Sequence, residues 1–369
     1  MINTFYEKLA KLVVNYSLNV KNGDRVLIEG PTIAKELFQA LFLEVLKMGG
    51  HPLVISQVEG LRELLFKNAS EEQLLYFHNL LKLTNTEFDC IISIDGEYNT
   101  RNLALIDPKA VAKYQGSPDR TEYIRVFEER TSKKELKWIC VPIPCHAFAQ
   151  EANMDLFSYS NFVENALFLD KENPIEEWQN MEKKQEKIVE NLNKVKKIQV
   201  IGEDTELTFS LEGRIWDNCC GKENLPDGEI YTCPVEDSVN GHIRLSYPGI
   251  YMGREIENIF LEFKDGMVIN ATADKGQELL EEILKIENAD KLGEFAIGTN
   301  YGITQFTKNI GFDEKIGGTL HIALGHGFKN IGSKNESAIH WDILKDMKIP
   351  GSKIIADNKI IYEEGKWQI

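Results

Sequence analysis

Three of the seven histidines, His321, His326 and His340, crowd into one short stretch of the chain. In SAIHWDI, His340 and Asp342 stand either side of Trp341. On an extended strand residues i and i+2 share a face, so the imidazole and the carboxylate converge while Trp341 turns to the opposite side; on a helix they diverge. His321 lies in GGTLHIALGHG, a β-type run behind two glycines, residues that permit turns and close backbone approach. His321, His340 and Asp342 form a set of two imidazoles and one carboxylate, suited to zinc, cobalt, manganese or iron. A histidine on its own is more often a hydrogen-bonded structural residue, so the set acts together only if the fold gathers it.

Two glutamates stand out for their surroundings. In NLPDGEIYTCP a Pro-Asp-Gly turn throws the chain straight into a strand at Glu229, and in KLGEFAIGTN an apolar strand follows Glu294. A charge at the mouth of a buried strand is costly unless it is paired or coordinated, which makes each a candidate ligand. Among 58 acidic residues a solvated strand end is the commoner role for either one. Asp227, Glu236 and Asp237 read as turn and surface positions.

These residues need strands to hold them, and the chain supplies two textures. RVLIEG (25–30), HPLVIS (51–56), FDCIISIDG (88–96) and KWICVPIP (137–144) are short apolar strands separated by helical stretches. That alternation predicts an α/β fold with a doubly wound parallel sheet, placed in an N-terminal domain over 1–190. No GxGxxG follows RVLIEG, so no dinucleotide fingerprint is present there. The N-terminal segment spaces Phe5, Leu9, Leu12, Val13 and Leu18 as an amphipathic helix. Residues 174–195, opened by Pro174, read as one long charged helix with Trp178, Met181, Ile188, Leu192 and Val195 along a narrow apolar side. Beyond it KIQVIGEDTELTFSLEGRIW, EIYTCPVEDSVNGHIRLS and IENIFLEFKDGMVINATADKG carry strand and tight-turn signals. They predict a strand-rich α+β C-terminal domain over 191–369, with one clear helix at 275–288, and this domain carries the candidate ligands.

Composition narrows the partners. The 369 residues suggest two domains, and 43% hydrophobic with 27% charged residues is a globular balance. A net charge of -16 argues against a nucleic-acid partner, since phosphate binding draws on clustered Lys and Arg, whereas an acidic chain can hold cations. No apolar run approaches the roughly 18 residues of a membrane span, and Glu7 interrupts the N-terminal segment, so the expected location is cytoplasmic and off the membrane. The six cysteines show no disulfide framework or CxxC pair and read as reduced, mostly buried thiols.

The succession NLPDGEIYTCPVEDSVNG, LGEFAIGTN, FDEKIGGTLHIALG and NESAIHWDI resembles the thermophilic metallo-aminopeptidase family, of the aminopeptidase T and aminopeptidase S type. KNGDRVLIEGPTIAKELFQALFLEVLKMGGHPLVIS resembles that family's opening α/β unit, so the likeness spans the chain. The resemblance implies that Glu229, Glu294, His321, His340 and Asp342 bind two divalent metal ions, zinc, cobalt or manganese, with Glu294 as the bridge. It implies hydrolysis that releases the N-terminal amino acid from peptide substrates with a free N-terminus, in a homodimer. Glu314 of FDEKIGG is similar to the glutamate of the family's DEN motif, an additional ligand or general base. Phe328 departs from the family's tyrosine seven residues after the HIAxG histidine and can neither ligate nor donate. His326 is the nearest side chain in sequence that could do both. Two other readings stand beside the peptidase: a ring-cleaving dioxygenase of a related lineage, with one iron held by His321, His340 and Asp342, and an inactive metal- or peptide-binding relative. Retention of Glu229 and Glu294 favours the peptidase, because a single iron does not need them.

Overall fold

The computed structural model describes residues 3–369, and their contacts divide into two compact units, Met1–Ile175 with Gly221–Leu225 and Glu176–Cys220 with Pro226–Ile369. In the first unit β1 (Arg25–Pro31), β2 (His51–Gln57), β3 (Cys90–Asp95) and β4 (Lys137–Pro142) form a parallel sheet in the order β2-β1-β3-β4. Consecutive residues of its inner strands are buried, Val26, Leu27 and Ile28 in β1 and Ile91 and Ile92 in β3, as a sheet covered on both faces requires. The amphipathic N-terminal pattern becomes α1 (Thr4–Leu12), where the Asn3 side chain caps the first turn by accepting from the Phe5 N–H and Leu9 and Leu12 turn inward. The run after β1 becomes α2 (Lys35–Lys47), which leads back to β2.

The second unit opens with the long charged helix, α3 (Pro174–Leu192), which buries Trp178, Val189 and Leu192. Two antiparallel sheets follow. The larger has eight strands, in the order Met267–Thr272, Phe260–Lys264, Asn240–Arg244, Thr205–Ser210, Lys197–Gly202, Lys353–Ala356, Lys359–Glu363, Lys366–Trp367. The smaller contains β5 (Asp217–Cys219), β6 (Glu229–Thr232), β7 (Leu292–Gly298), β8 (Thr319–Gly325) and β9 (His340–Asp346), ordered β9-β8-β7-β6-β5. They share one apolar core, to which the larger gives Val200, Leu207 and Phe209 and the smaller Ile230, Phe295, Ile322 and Ile343. The rings of Phe209 and Phe295 meet at 4.9 Å across it. The helix read at 275–288 is α4 (Gln277–Leu284), and a short helical turn not legible in the sequence, α5 (Ile310–Asp313), precedes β8. Among the described residues no helix is long and apolar enough to cross a membrane.

Candidate metal centre

With one face of the small sheet committed to the core, the period-2 alternation decides what the other face carries. In β8 Leu320, Ile322 and Leu324 are core residues, so His321 and Ala323 face away. In β9 Trp341 and Ile343 are core residues, which leaves His340 and Asp342 together on the opposite side, as SAIHWDI suggests. Trp341 is fixed there by its indole N–H, which donates to the Ile250 carbonyl at 3.0 Å. In β6 Ile230 is core, and Glu229 and Tyr231 flank it on the polar face.

β7 cannot obey the alternation without help, because both Leu292 and Phe295 belong to the core. The register slips at Gly293: Leu292 pairs with Leu324, and Glu294 pairs with Ala323. This bulge changes the phase of the strand and turns Glu294 onto the polar face. Only glycine fits, since a Cβ at position 293 would lie 2.2 Å from the His326 carbonyl oxygen and 2.4 Å from that of Gly325. Gly228, ahead of Glu229, has φ 113°, a left-handed conformation that completes the turn into β6.

The fold brings all six sequence candidates together. His340 Nε2 lies 2.9 Å from Glu294 Oε2 and 3.3 Å from Asp342 Oδ1. His321 Nε2 lies 3.4 Å from Glu229 Oε2, 3.8 Å from Glu294 Oε1 and 4.0 Å from Asp342 Oδ1. Two ligand groups result, Glu294 with His321 and Asp342, and Glu229 with Glu314 and His321; within each the ligand atoms lie within 4.8 Å of one another. His321 belongs to both. Glu229, Glu294 and His321 are buried, whereas the His340 side chain is 26% exposed and marks the open side.

The atoms around this centre orient it. His340 Nδ1–H donates to the His326 carbonyl at 2.7 Å, which leaves Nε2 as the free ligand atom. His326 thus serves through its backbone. Gln185 of α3 donates to the carbonyls of Glu229 at 2.7 Å and Cys219 at 3.0 Å, tying β6 and β5 to the helix. The Phe328 ring packs against His340 at 5.1 Å and against Tyr231 at 5.3 Å, so it buttresses the imidazole without bonding to it. The Tyr231 hydroxyl donates to Asp217 at 3.3 Å.

Three further residues of the centre carry no sequence signal of their own. Lys315, 1% exposed, sets its ammonium 2.5 Å from Glu229 Oε1 and 2.8 Å from Glu314 Oε1. Asp227 and Cys219 group with Glu229. The reading of Asp227 as an ordinary turn position is corrected: it is 1% exposed, because its turn packs beneath Asn300, whose side chain donates to the Asp227 carbonyl. Glu236 is likewise half-buried, paired with Arg214 and accepting from the Lys334 N–H at 2.6 Å, while Asp237 is exposed.

The electrostatics draw positive charge inward. Burial lowers the pKa of His321, but Glu294, Glu229 and Asp342 outweigh it and raise the imidazole to about 9. His340 is likewise held well above the usual range by Asp342 and Glu294 against its burial. Burial pushes the Glu229 carboxyl up, opposed by Lys315, while for Glu294 burial is outweighed by the two histidines and its carboxyl is held down. Glu229 Oε2, Asp342 Oδ1 and His321 Nδ1 are buried without a hydrogen-bond partner. Buried carboxylate oxygens without a hydrogen bond are costly, and a divalent cation fits both their charge and the mixed N/O donor set.

Comparison with known proteins adds the lineage. The thermophilic metalloprotease (M29) family profile matches residues 3–367. Aminopeptidase 2 of Geobacillus stearothermophilus is 25% identical over 98% of this chain and 97% of its own length. Aminopeptidase AmpS of Bacillus subtilis is 24% identical, covering 99% and 100%. The solved structure of wild-type AmpT from Thermus thermophilus matches with a TM-score of 0.87 at 22% identity over 99% of each chain, which establishes the fold.

Proposed function

Since the chain belongs to the thermophilic metalloprotease (M29) family and is a metallo-aminopeptidase, we propose that it releases the N-terminal residue of peptides at a centre holding two divalent cations. The observation that carries this reading is the pair of ligand groups sharing His321, each with a buried carboxylate oxygen that makes no hydrogen bond and faces only an imidazole. In this reading Glu294, His340 and Asp342 would hold one cation, Glu229 the other with Glu314 at its edge, His321 would give the single lone pair of Nε2 to one of the two, and Glu294 would reach toward both. Zinc, cobalt and manganese all accept this donor set. A single iron would need only His321, His340 and Asp342, so the convergence of Glu229 and Glu314 supports the peptidase over a ring-cleaving oxygenase.

Bound cations supply a water of lowered pKa and polarise the scissile carbonyl. The rest falls to the protein. Glu314, its side chain 17% exposed, keeps one carboxylate oxygen on Lys315 and offers the other as general base. It takes the proton released as water adds to the carbonyl and delivers it to the departing amide nitrogen. The surplus of carboxylates holds the substrate's α-ammonium and so restricts cleavage to the first residue. Beside His340 and Asp342 opens a cavity of about 150 Å³ walled by Ile250, Met252, Phe306 and Ile310, a volume suited to an aliphatic first side chain.

The protein loaded with cobalt, zinc or manganese is expected to release leucine from leucine anilide but not from its N-acetylated form, and chelation is expected to abolish turnover. Absence of turnover with every one of these metals, across a panel of first residues, rejects the reading. The reading extends to a homodimer, which sedimentation checks against 42.1 kDa per chain.

A further inference from the structure

The two ligand groups differ in one respect: the Glu229 and Glu314 group holds a lysine ammonium, a cation that is not itself a ligand. Lys315 is wholly buried, with its ammonium on Glu229 Oε1 and Glu314 Oε1 and Asp227 Oδ1 at 3.7 Å. Its backbone is pinned, since its N–H donates to the Phe312 carbonyl and its carbonyl accepts from the Asn300 N–H. The ammonium therefore cannot leave with a moving loop. Among the described residues no lysine or arginine pairs with Glu294 or Asp342, whose cationic neighbours are the two histidines.

We infer that Lys315 is a resident cation that competes for the second metal position, so that the centre binds one divalent ion tightly and a second only weakly. The inference rests on the metallo-aminopeptidase reading and divides its two positions. A divalent ion entering between Glu229, Glu314 and His321 has to displace the ammonium from at least one of two carboxylate oxygens. The two cations repel across a site with little water to screen them. Asp227, already within 3.7 Å, is the carboxylate to which the displaced ammonium can swing, so the exchange needs no unfolding. The Glu294 group has no ammonium among its described partners; its cationic neighbours are the imidazoles that would themselves ligate the ion. Occupancy of the second position, and with it the rate, then follows the free metal concentration.

The test is calorimetric titration of the metal-free full chain with manganese or zinc, with elemental analysis after dialysis. The wild type is expected to retain one ion per chain and to take a second at least about 30-fold more weakly. Lys315→Met, which keeps the stem and removes the charge, narrows that gap to about fivefold or less, and Lys315→Arg preserves it. Two ions of equal affinity in the wild type overturn the inference, as does an unchanged gap in Lys315→Met. The wild-type titration decides on its own if the methionine variant does not fold. A chain that binds no divalent ion rejects the metal reading itself, a result distinct from two equal sites.

Discussion

The four-stranded parallel sheet and the five-stranded antiparallel sheet are both built from short strands with apolar residues, yet among the described residues the candidate metal groups fall on the second. In the parallel sheet consecutive residues are buried, as with Val26, Leu27 and Ile28, as befits a sheet covered on both faces. In the antiparallel sheet one face is core and the other is free to be polar, so every second residue of four adjacent strands can point at a common centre. Glu229, Glu294, His321, His340 and Asp342 occupy those positions. Function here follows from a sheet with one polar face outside its apolar core.

The largest effect that tests this contrast is expected on the polar face. Replacing Glu294 by Gln removes the carboxylate that both histidines address. It should lower kcat/KM by on the order of 10³-fold and reduce the metal retained per chain, while far-UV circular dichroism stays native. A variant with full activity and undiminished metal would remove Glu294 from the centre and with it the proposed bridge.

In the parallel sheet the expectation is reversed. Ile28, Ile92 and Ile139 form one cross-strand row and are fully buried. Ile92→Ala should cost about 3 kcal/mol of stability through lost burial and the cavity left behind, with activity per folded molecule unchanged. Denaturant unfolding against specific activity separates the two. A loss of turnover without a loss of stability would mean that the parallel sheet shapes the reaction.

Much of this contrast was legible in the sequence, and its gaps have physical causes. The HxD spacing around Trp341 gave both the face of the ligands and the burial of the tryptophan, because strand alternation is strict. The candidacy of Glu294 was legible, but its direction was not: without the slip at Gly293 the alternation would place it on the same side as Leu292. Lys315 escaped notice because a lysine normally reads as surface, and only packing can reveal one held among carboxylates. Asp227 was misread for the related reason that a Pro-Asp-Gly turn signals chain reversal but not whether the reversal packs beneath another segment. The short α5 that delivers Glu314 and Lys315 is too brief for any periodicity to show.

The smallest expected effect lies at the rim of the parallel sheet and carries a pH signature. Arg25, at the start of β1, clasps Asp89 ahead of β3: its Nη2 and Nε lie 3.1 Å from the two carboxylate oxygens, and its backbone N–H donates at 2.8 Å. The Arg25 hydrogen bond holds the Asp89 carboxyl below its ordinary value of 3.8. A carboxyl depressed in the folded state stabilises fully above its unfolded pKa and loses that contribution as pH falls through the folded one. Asp89→Asn should therefore lower the melting midpoint by on the order of a degree or two at neutral pH, as suits an exposed pair. The difference from wild type should persist down to about pH 4 and close below it. Thermal melts of both proteins across that range decide the matter, and a gap that widens on acidification would show that Asp89 is not the titrating partner of Arg25. Turnover at neutral pH should be the same in both, because the pair joins strands of the sheet to which no part of the chemistry is assigned.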